Sequence, residues 1–91
     1  MDDSEATKVL QEHLTQFTRR GYAELAAFID RPQTIRATGT SGTAYQIEFN
    51  VFYDSPSKQD LRIMASIDDG GLRALAPLTR SEIMRPSGEL A

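Results

Sequence analysis

Cysteine is absent from this chain of 91 residues. Its absence excludes disulfide bonds, zinc sites built on thiolates and a cysteine nucleophile. Long apolar runs are missing too, since no stretch approaches the roughly 18 residues of a membrane-spanning helix. The polar start, Met1 to Glu5, does not have the form of a signal peptide. We therefore expect a cytoplasmic protein that does not contact a membrane.

Positive charge is too sparse to predict a nucleic-acid-binding surface. The chain has ten basic and thirteen acidic residues, and its net charge is −3. Phosphate backbones are bound through dense clusters of lysine and arginine. We therefore expect no nucleic acid partner.

What is present matches one small globular domain. Hydrophobic residues make up 40% of the chain and charged residues 25%, so extended disorder is not expected. We predict a single α+β domain over residues 1–91. Because a chain of this size buries only about 60–65% of its unfolded surface, a second copy could enlarge a limited core.

The first third of the chain has the periodicity of a helix. Either Ser4 or Asp3 is expected to cap its first turn. The apolar residues keep one phase of the 3.6-residue period: Leu10, Leu14, Phe17, Leu25 and Phe28. The preserved phase favours one long helix that ends near Asp30, before Pro32. The alternative is that Gly21 ends a first helix.

From Gln33 onward the period changes to two, which is typical of strands with one buried face. Turn-forming residues separate the predicted strands, which are Thr34–Thr38, Thr43–Tyr53, Leu61–Ile67 and Leu72–Ala76. The segment 79–90 is ambiguous. Thr79 to Glu82 has the spacing of a capping box and could start a helical turn, whereas Ser81 to Arg85 could form a fifth strand.

These elements predict an α+β fold in which a long N-terminal helix packs on a four- to five-stranded antiparallel meander sheet. The predicted core contains the apolar residues of the helix and of one sheet face: Leu10, Leu14, Phe17, Leu25, Phe28, Ile35, Tyr45, Ile47, Phe49, Val51, Ile63 and Ile67.

No catalytic apparatus, cofactor site or metal site is evident in the sequence. His13 is the sole histidine, and a general base would need a partner within reach. Asp68-Asp69-Gly70-Gly71 is more typical of a hairpin turn than of a calcium loop, which needs further oxygen ligands. Tyr45 and Tyr53 fall on the apolar face, where core packing with hydroxyls at the rim is expected.

The opposite sheet face is the candidate contact surface. It combines arginines with large apolar side chains, a composition typical of interfaces. Its predicted members are Arg36, Glu48, Phe52, Arg62, Met64, Arg73 and Leu75. Two alternatives remain open: a solvated face with scattered apolar residues, or a face covered by the tail from Pro77 to Ala91.

Three segments carry a resemblance to known proteins: Asp68-Asp69-Gly70-Gly71-Leu72-Arg73-Ala74, Pro77-Leu78-Thr79 and Ile83-Met84-Arg85-Pro86-Ser87-Gly88. Through them the C-terminal third resembles a group of small bacterial proteins of uncharacterised function. The resemblance implies a bacterial source, and it implies no activity that could be transferred.

The order of elements is similar to two further families. One is the double-stranded-RNA-binding domains, whose last helix opens with a basic cluster. Here the corresponding region, 72–85, departs from that pattern because it contains Pro77, dispersed arginines and no lysine. The other is the cystatin-like fold, in which a helix precedes an antiparallel meander and which hosts binders and enzymes alike.

The sequence therefore favours a non-enzymatic module for protein binding or assembly, with a protein partner or a second copy as the ligand. The alternative is a small ligand-binding or enzymatic domain with a pocket between helix and sheet, using Tyr45, Tyr53 or His13. RNA binding through the arginines is the third hypothesis.

Overall fold

The computed structural model describes residues 1–71 and 76–91. An N-terminal helical region packs on a four-stranded antiparallel sheet with strand order β1-β2-β3-β4, so the predicted α+β meander is confirmed. The elements are α1 (Asp3–Thr18), α2 (Tyr22–Ala26), β1 (Gln33–Thr38), β2 (Ala44–Ser55), β3 (Asp60–Asp68) and β4 (Leu78–Met84). The strand predicted at Leu72–Ala76 falls almost wholly on residues 72–75, outside the described residues.

The prediction of one long helix is wrong. Helix α1 ends at Thr18, and α2 begins only after Gly21. Gly21 has φ 83° and ψ 168°, a backbone conformation that cannot continue a helix and that residues other than glycine rarely adopt. The first turn is capped by Asp2, whose carboxylate accepts a hydrogen bond from the Glu5 amide at 3.1 Å, so neither predicted cap is correct.

The predicted phase of the strands is confirmed. Along β2, Tyr45, Ile47 and Phe49 are buried whereas Glu48 is exposed. The register sets Phe49 opposite Gln33 on β1 and Ala65 on β3, so the odd-numbered positions of the three strands share one face.

The tail continues the sheet. Leu78 to Met84 forms β4 against β3, which contradicts the predicted helical turn and supports the strand alternative with an earlier start. The chain then turns back near Gly88. Leu90 pairs with Met84, and the Ala91 amide donates to the Ile83 carbonyl at 2.8 Å.

Both helices lie on the same sheet face and enclose the core. Helix α1 packs over β3 and β4, and α2 packs over β2. Phe17 stacks on Phe49 with ring centroids 4.1 Å apart. Of the predicted core, Ile35 and Phe28 are only partly buried. The buried apolar residues are Ala6, Val9, Leu10, Leu14, Phe17, Leu25, Ala37, Tyr45, Ile47, Phe49, Val51, Leu61, Ile63, Ala65, Ile67 and Met84.

Candidate functional site

The sheet face opposite the helices is the first candidate surface. The strand phase places Arg36, Glu48, Phe52, Arg62 and Met64 together on this face. The Phe52 side chain is 39% exposed, and Met64 is half-buried. We call this sheet face the open face and define it by eight of its residues: Arg36, Glu48, Asn50, Phe52, Arg62, Met64, Ser81 and Ile83.

Ile83 belongs to the open face, although it was absent from the predicted set. It lies opposite Arg62, which in turn lies opposite Phe52, so the three residues form one row across the strands. The sequence signal was present but ambiguous, because Ile83 fell in the segment that suited a helical turn as well as a strand.

Arg62 lies between Phe52 and Ile83 and separates these two apolar side chains of the open face. Its Nε donates to Asp54 Oδ1 at 2.8 Å, and its Nη1 donates to Ser81 Oγ at 2.8 Å. The guanidinium therefore reaches from an acceptor on β2 to one on β4. This engagement makes the centre of the open face more polar than the sequence suggested.

The remaining predicted members of the contact surface differ in their surroundings. Glu48 accepts a hydrogen bond from Asn50 at 2.9 Å, and Arg36 is exposed. Arg73 and Leu75 lie outside the described residues. Within the described part of the tail, Leu90 pairs beside Met84 at the edge of β4, so this segment extends the sheet and does not cover the open face.

A groove between helix and sheet is the second candidate surface. It has a volume of about 430 Å³ and lies between the C-terminal half of α1 and strand β1. Phe17, Ile35 and Phe49 provide its apolar surface. The polar residues that line it are His13, Gln16, Arg19, Arg20, Glu24 and Gln33.

The predicted pocket residues separate in the structure. His13 lines the groove, and its Nδ1 lies 2.9 Å from the Val9 carbonyl oxygen of the preceding helical turn. Tyr45 is buried at the opposite end of α1, and Tyr53 is 42% exposed, so the expectation that Tyr53 packs in the core is wrong. The three residues do not form one site.

Arg20 shapes the mouth of the groove. Its guanidinium lies 5.4 Å from the Phe17 ring centroid and 5.6 Å from that of Phe28. It also approaches Glu24 at 3.5 Å, in an ion pair whose two side chains are both well exposed. A cation held on aromatic rings keeps its charge at the surface, where an anionic group can reach it.

The Glu5 carboxylate at the N-terminus of α1 is the centre of a hydrogen-bonded cluster that the sequence did not predict. Glu5 accepts hydrogen bonds from the Tyr45 hydroxyl at 2.7 Å, from the Ser41 hydroxyl at 2.7 Å and from the Ser41 amide at 2.9 Å. Thr40 donates a further bond at 3.2 Å. No local pattern marks this contact, because Glu5 and Tyr45 lie 40 positions apart.

The cluster shifts two pKa values in opposite directions. Hydrogen bonds from Tyr45 and then Ser41 lower the pKa of Glu5 from 4.5 to about 2. The bond to Glu5, followed by burial, raises the pKa of Tyr45 from 10.0 to about 12. Glu5 is thus held as a carboxylate with its oxygens already occupied, which suits a structural clamp on the β1–β2 turn better than a general base.

The carboxylates of the acidic turn after β3 bond backbone amides of the same turn, and Asp69 also lies 3.8 Å from the N-terminal ammonium of Met1. Asp68 accepts from the Gly70 amide at 2.9 Å, and Asp69 accepts from the Gly71 amide at 3.1 Å. Residues 1–71 and 76–91 contain no group of three or more histidine or acidic side chains arranged to hold a metal ion. The helices within those residues are all too short or too polar to cross a membrane.

Comparison with protein-family models, with curated protein sequences and with solved structures returned no match to this chain. The resemblance of the C-terminal third to small bacterial proteins therefore stays a prediction, and function is inferred from the surfaces of the molecule itself.

Proposed function

We propose that this protein is a non-enzymatic assembly module that associates with a second copy of itself through the open face. The observation that supports the proposal is the one-sided packing of the sheet. Both helices cover one face, while Phe52, Met64 and Ile83 remain on the other at least partly accessible to solvent. Apolar side chains grouped on one face of a small domain are typical of association surfaces.

The size of the open face fits a weak dimer. Four strands about 4.8 Å apart, with a rise of about 3.3 Å per residue, give a face of roughly 19 by 25 Å. Two such faces bury roughly 950 Å², close to the lower limit of about 1,000 Å² for a specific interface. We therefore expect reversible association in the micromolar range.

The charges of the open face are compatible with self-pairing. Arg36 and Glu48 lie on neighbouring strands of this face. A two-fold axis repeats every contact, so Arg36 of one copy can meet Glu48 of the other twice. Arg62 already has Asp54 as an internal partner and brings no unpaired charge into the interface.

The double substitution Phe52→Glu with Met64→Lys tests this proposal. Charges at both positions should prevent burial of the face, so the variant should remain monomeric by light scattering while the wild type associates at high micromolar concentration. Its far-ultraviolet circular dichroism should match the wild type, because neither side chain belongs to the core.

Leu90→Glu is the matched control. Leu90 is 47% exposed but lies beside Met84 and not on the open face. This variant should associate like the wild type. A wild-type protein that stays monomeric at high micromolar concentration, or a double variant that dimerises normally, would contradict the proposal.

A further inference from the structure

The outer edge of β1 carries backbone groups with no partner among the described residues. Strand order leaves β1 at one edge of the sheet. The Gly39 amide donates to the Thr43 carbonyl at 2.9 Å, which continues the ladder between β1 and β2. Because hydrogen-bonded pairs in an antiparallel ladder recur every second residue, the amide and carbonyl groups of Thr34, Arg36 and Thr38 point outward.

The two edges of the sheet differ in their protection. At the β4 edge, Leu90 pairs with Met84, and Ala91 donates to Ile83. The described residues provide no equivalent segment beside β1. An exposed row of amide and carbonyl groups is a template for one more strand.

The groove described above lies directly beside this edge. Ile35 and Gln33 of β1 form one of its walls, and His13 and Gln16 of α1, with Arg20 just after the helix, line the other side. A strand added to β1 would run about 4.8 Å beyond it and direct alternate side chains to the helix side. Those side chains would enter the groove and contact mainly Ile35, since Phe17 and Phe49 are only 6% and 2% exposed, and this apolar wall favours apolar or aromatic groups.

The charges around the edge select the other side chains of such a strand. Arg36 points to the open face from the edge strand itself, and Arg19 and Arg20 lie at the end of α1 beside the groove. Glu24 offsets only Arg20, through an exposed pair. Glu48 on β2 and Asp68 on β3 share the face of Arg36 but lie one and two strands farther from the edge. β1 and the groove themselves carry Arg19, Arg20 and Arg36 against Glu24 alone, so an acidic segment is electrostatically complementary to them.

We propose that β1 and the adjacent groove bind an extended, acidic segment of a partner protein by strand addition. Apolar or aromatic side chains of the segment face the groove, and acidic side chains alternate with them on the side of Arg36. A second copy is a poorer occupant, because pairing two β1 strands brings Arg36 and Arg20 of both copies into one region.

The experiment uses the dimer-deficient variant Phe52→Glu with Met64→Lys, so that failure of this proposal is distinct from failure of self-association. The probe is a fluorescein-labelled peptide as long as β1, in which glutamate alternates with valine and phenylalanine. Fluorescence anisotropy should give saturable binding. A peptide with lysine in place of glutamate should bind at least about tenfold more weakly.

Thr34→Pro tests the backbone contact. Proline removes an amide that points outward and leaves the ladder with β2 intact, so the variant should fold. It should bind the peptide at least about tenfold more weakly, which corresponds to the loss of roughly one hydrogen bond. Thr34→Val keeps the amide and should bind like the parent. Binding should also slow hydrogen exchange at the Thr34, Arg36 and Thr38 amides but not at Ile35, whose amide is already bonded.

Four results would overturn the proposal. They are no saturable binding at millimolar peptide, equal binding of the lysine peptide, full binding by a folded Thr34→Pro variant, or unchanged exchange at the three outward amides. If the dimer-deficient variant still self-associated, and adding Thr34→Pro abolished that association, the β1 edge would be assigned to a second copy instead.

Discussion

Glu5 joins the first turn of α1 to the turn between β1 and β2. Its carboxylate accepts bonds from Thr40, Ser41 and Tyr45, and Gly39 packs so closely against it that a side chain at that position would meet the carboxylate. One acidic side chain thus ties together two segments that are distant in sequence. Its protonation is therefore coupled to the stability of the fold.

The direction of that coupling follows from the pKa values. The pKa of Glu5 is lowered to about 2, so its contribution to the free energy of unfolding is present above pH 4.5 and is lost as pH falls through about 2. The pKa of Tyr45 is raised to about 12, so its contribution is present below pH 10.0 and is lost as pH rises through about 12.

We predict that Glu5→Gln lowers the thermal midpoint at neutral pH, because an amide cannot accept from all four donors. The difference from the wild type should shrink between pH 4.5 and pH 2, where the wild-type carboxylate becomes protonated. Thermal melts of both proteins across this pH range measure the difference in midpoint. Melting curves of the two proteins that stay equally far apart at every pH would contradict the predicted role of Glu5.

Phe49 tests the packing of the core. It is 2% exposed and stacks on Phe17, so Phe49→Ala should cost about 3–5 kcal/mol in the free energy of unfolding. Its neighbour Glu48 points to the open face, and Glu48→Ala should change stability by less than about 0.5 kcal/mol. Urea unfolding compares the two, and similar losses would show that the strand phase is wrong.

At the scale of elements, the break between α1 and α2 decides how the helical region fits the sheet. The break lets α1 cover β3 and β4 while the short α2 turns over β2. Tyr22 at the start of α2 donates from its hydroxyl to the Gln59 carbonyl at 2.6 Å, which anchors the second helix to the turn between β2 and β3. A straight helix of the predicted length could not make both sets of contacts.

We predict that Gly21→Ala destabilises the protein by about 1–3 kcal/mol, because its positive φ and extended ψ are strained for any L-residue. The loss is conformational, since among the described residues, apart from the two chain neighbours, no atom lies within 4 Å of the position where a Cβ would stand. D-alanine at position 21, introduced by chemical synthesis, adds the same methyl group without that strain and should retain stability. Equal unfolding midpoints for L- and D-alanine would contradict this explanation.

At the scale of the whole molecule, the proposed dimer would link stability to concentration. Association through the open face would stabilise the folded state by mass action, so we predict that the thermal midpoint rises with protein concentration. The Phe52→Glu and Met64→Lys variant should lose this dependence, which provides a second measurement of the proposed dimer. Both proposed interactions use Arg36 of the edge strand, so they compete for that side chain.

Much of this architecture was determined by the sequence itself. The alternation around Phe49 specified which strand face is buried, because a half-buried strand must place apolar side chains at every second position. The stripe through Leu10, Leu14 and Phe17 specified the buried side of α1 for the analogous reason. These patterns are local, and a linear chain displays them directly.

The tertiary structure alone decided the remaining features. The stripe kept its phase through Leu25, so periodicity could not distinguish one helix from two that share a core. The Glu5 clamp, the engagement of Arg62 by Asp54 and Ser81, and the unpaired edge of β1 beside a groove depend on which distant segments become neighbours. Such contacts produce no periodic pattern in the sequence, because their residues are far apart along the chain and become neighbours only in the folded structure.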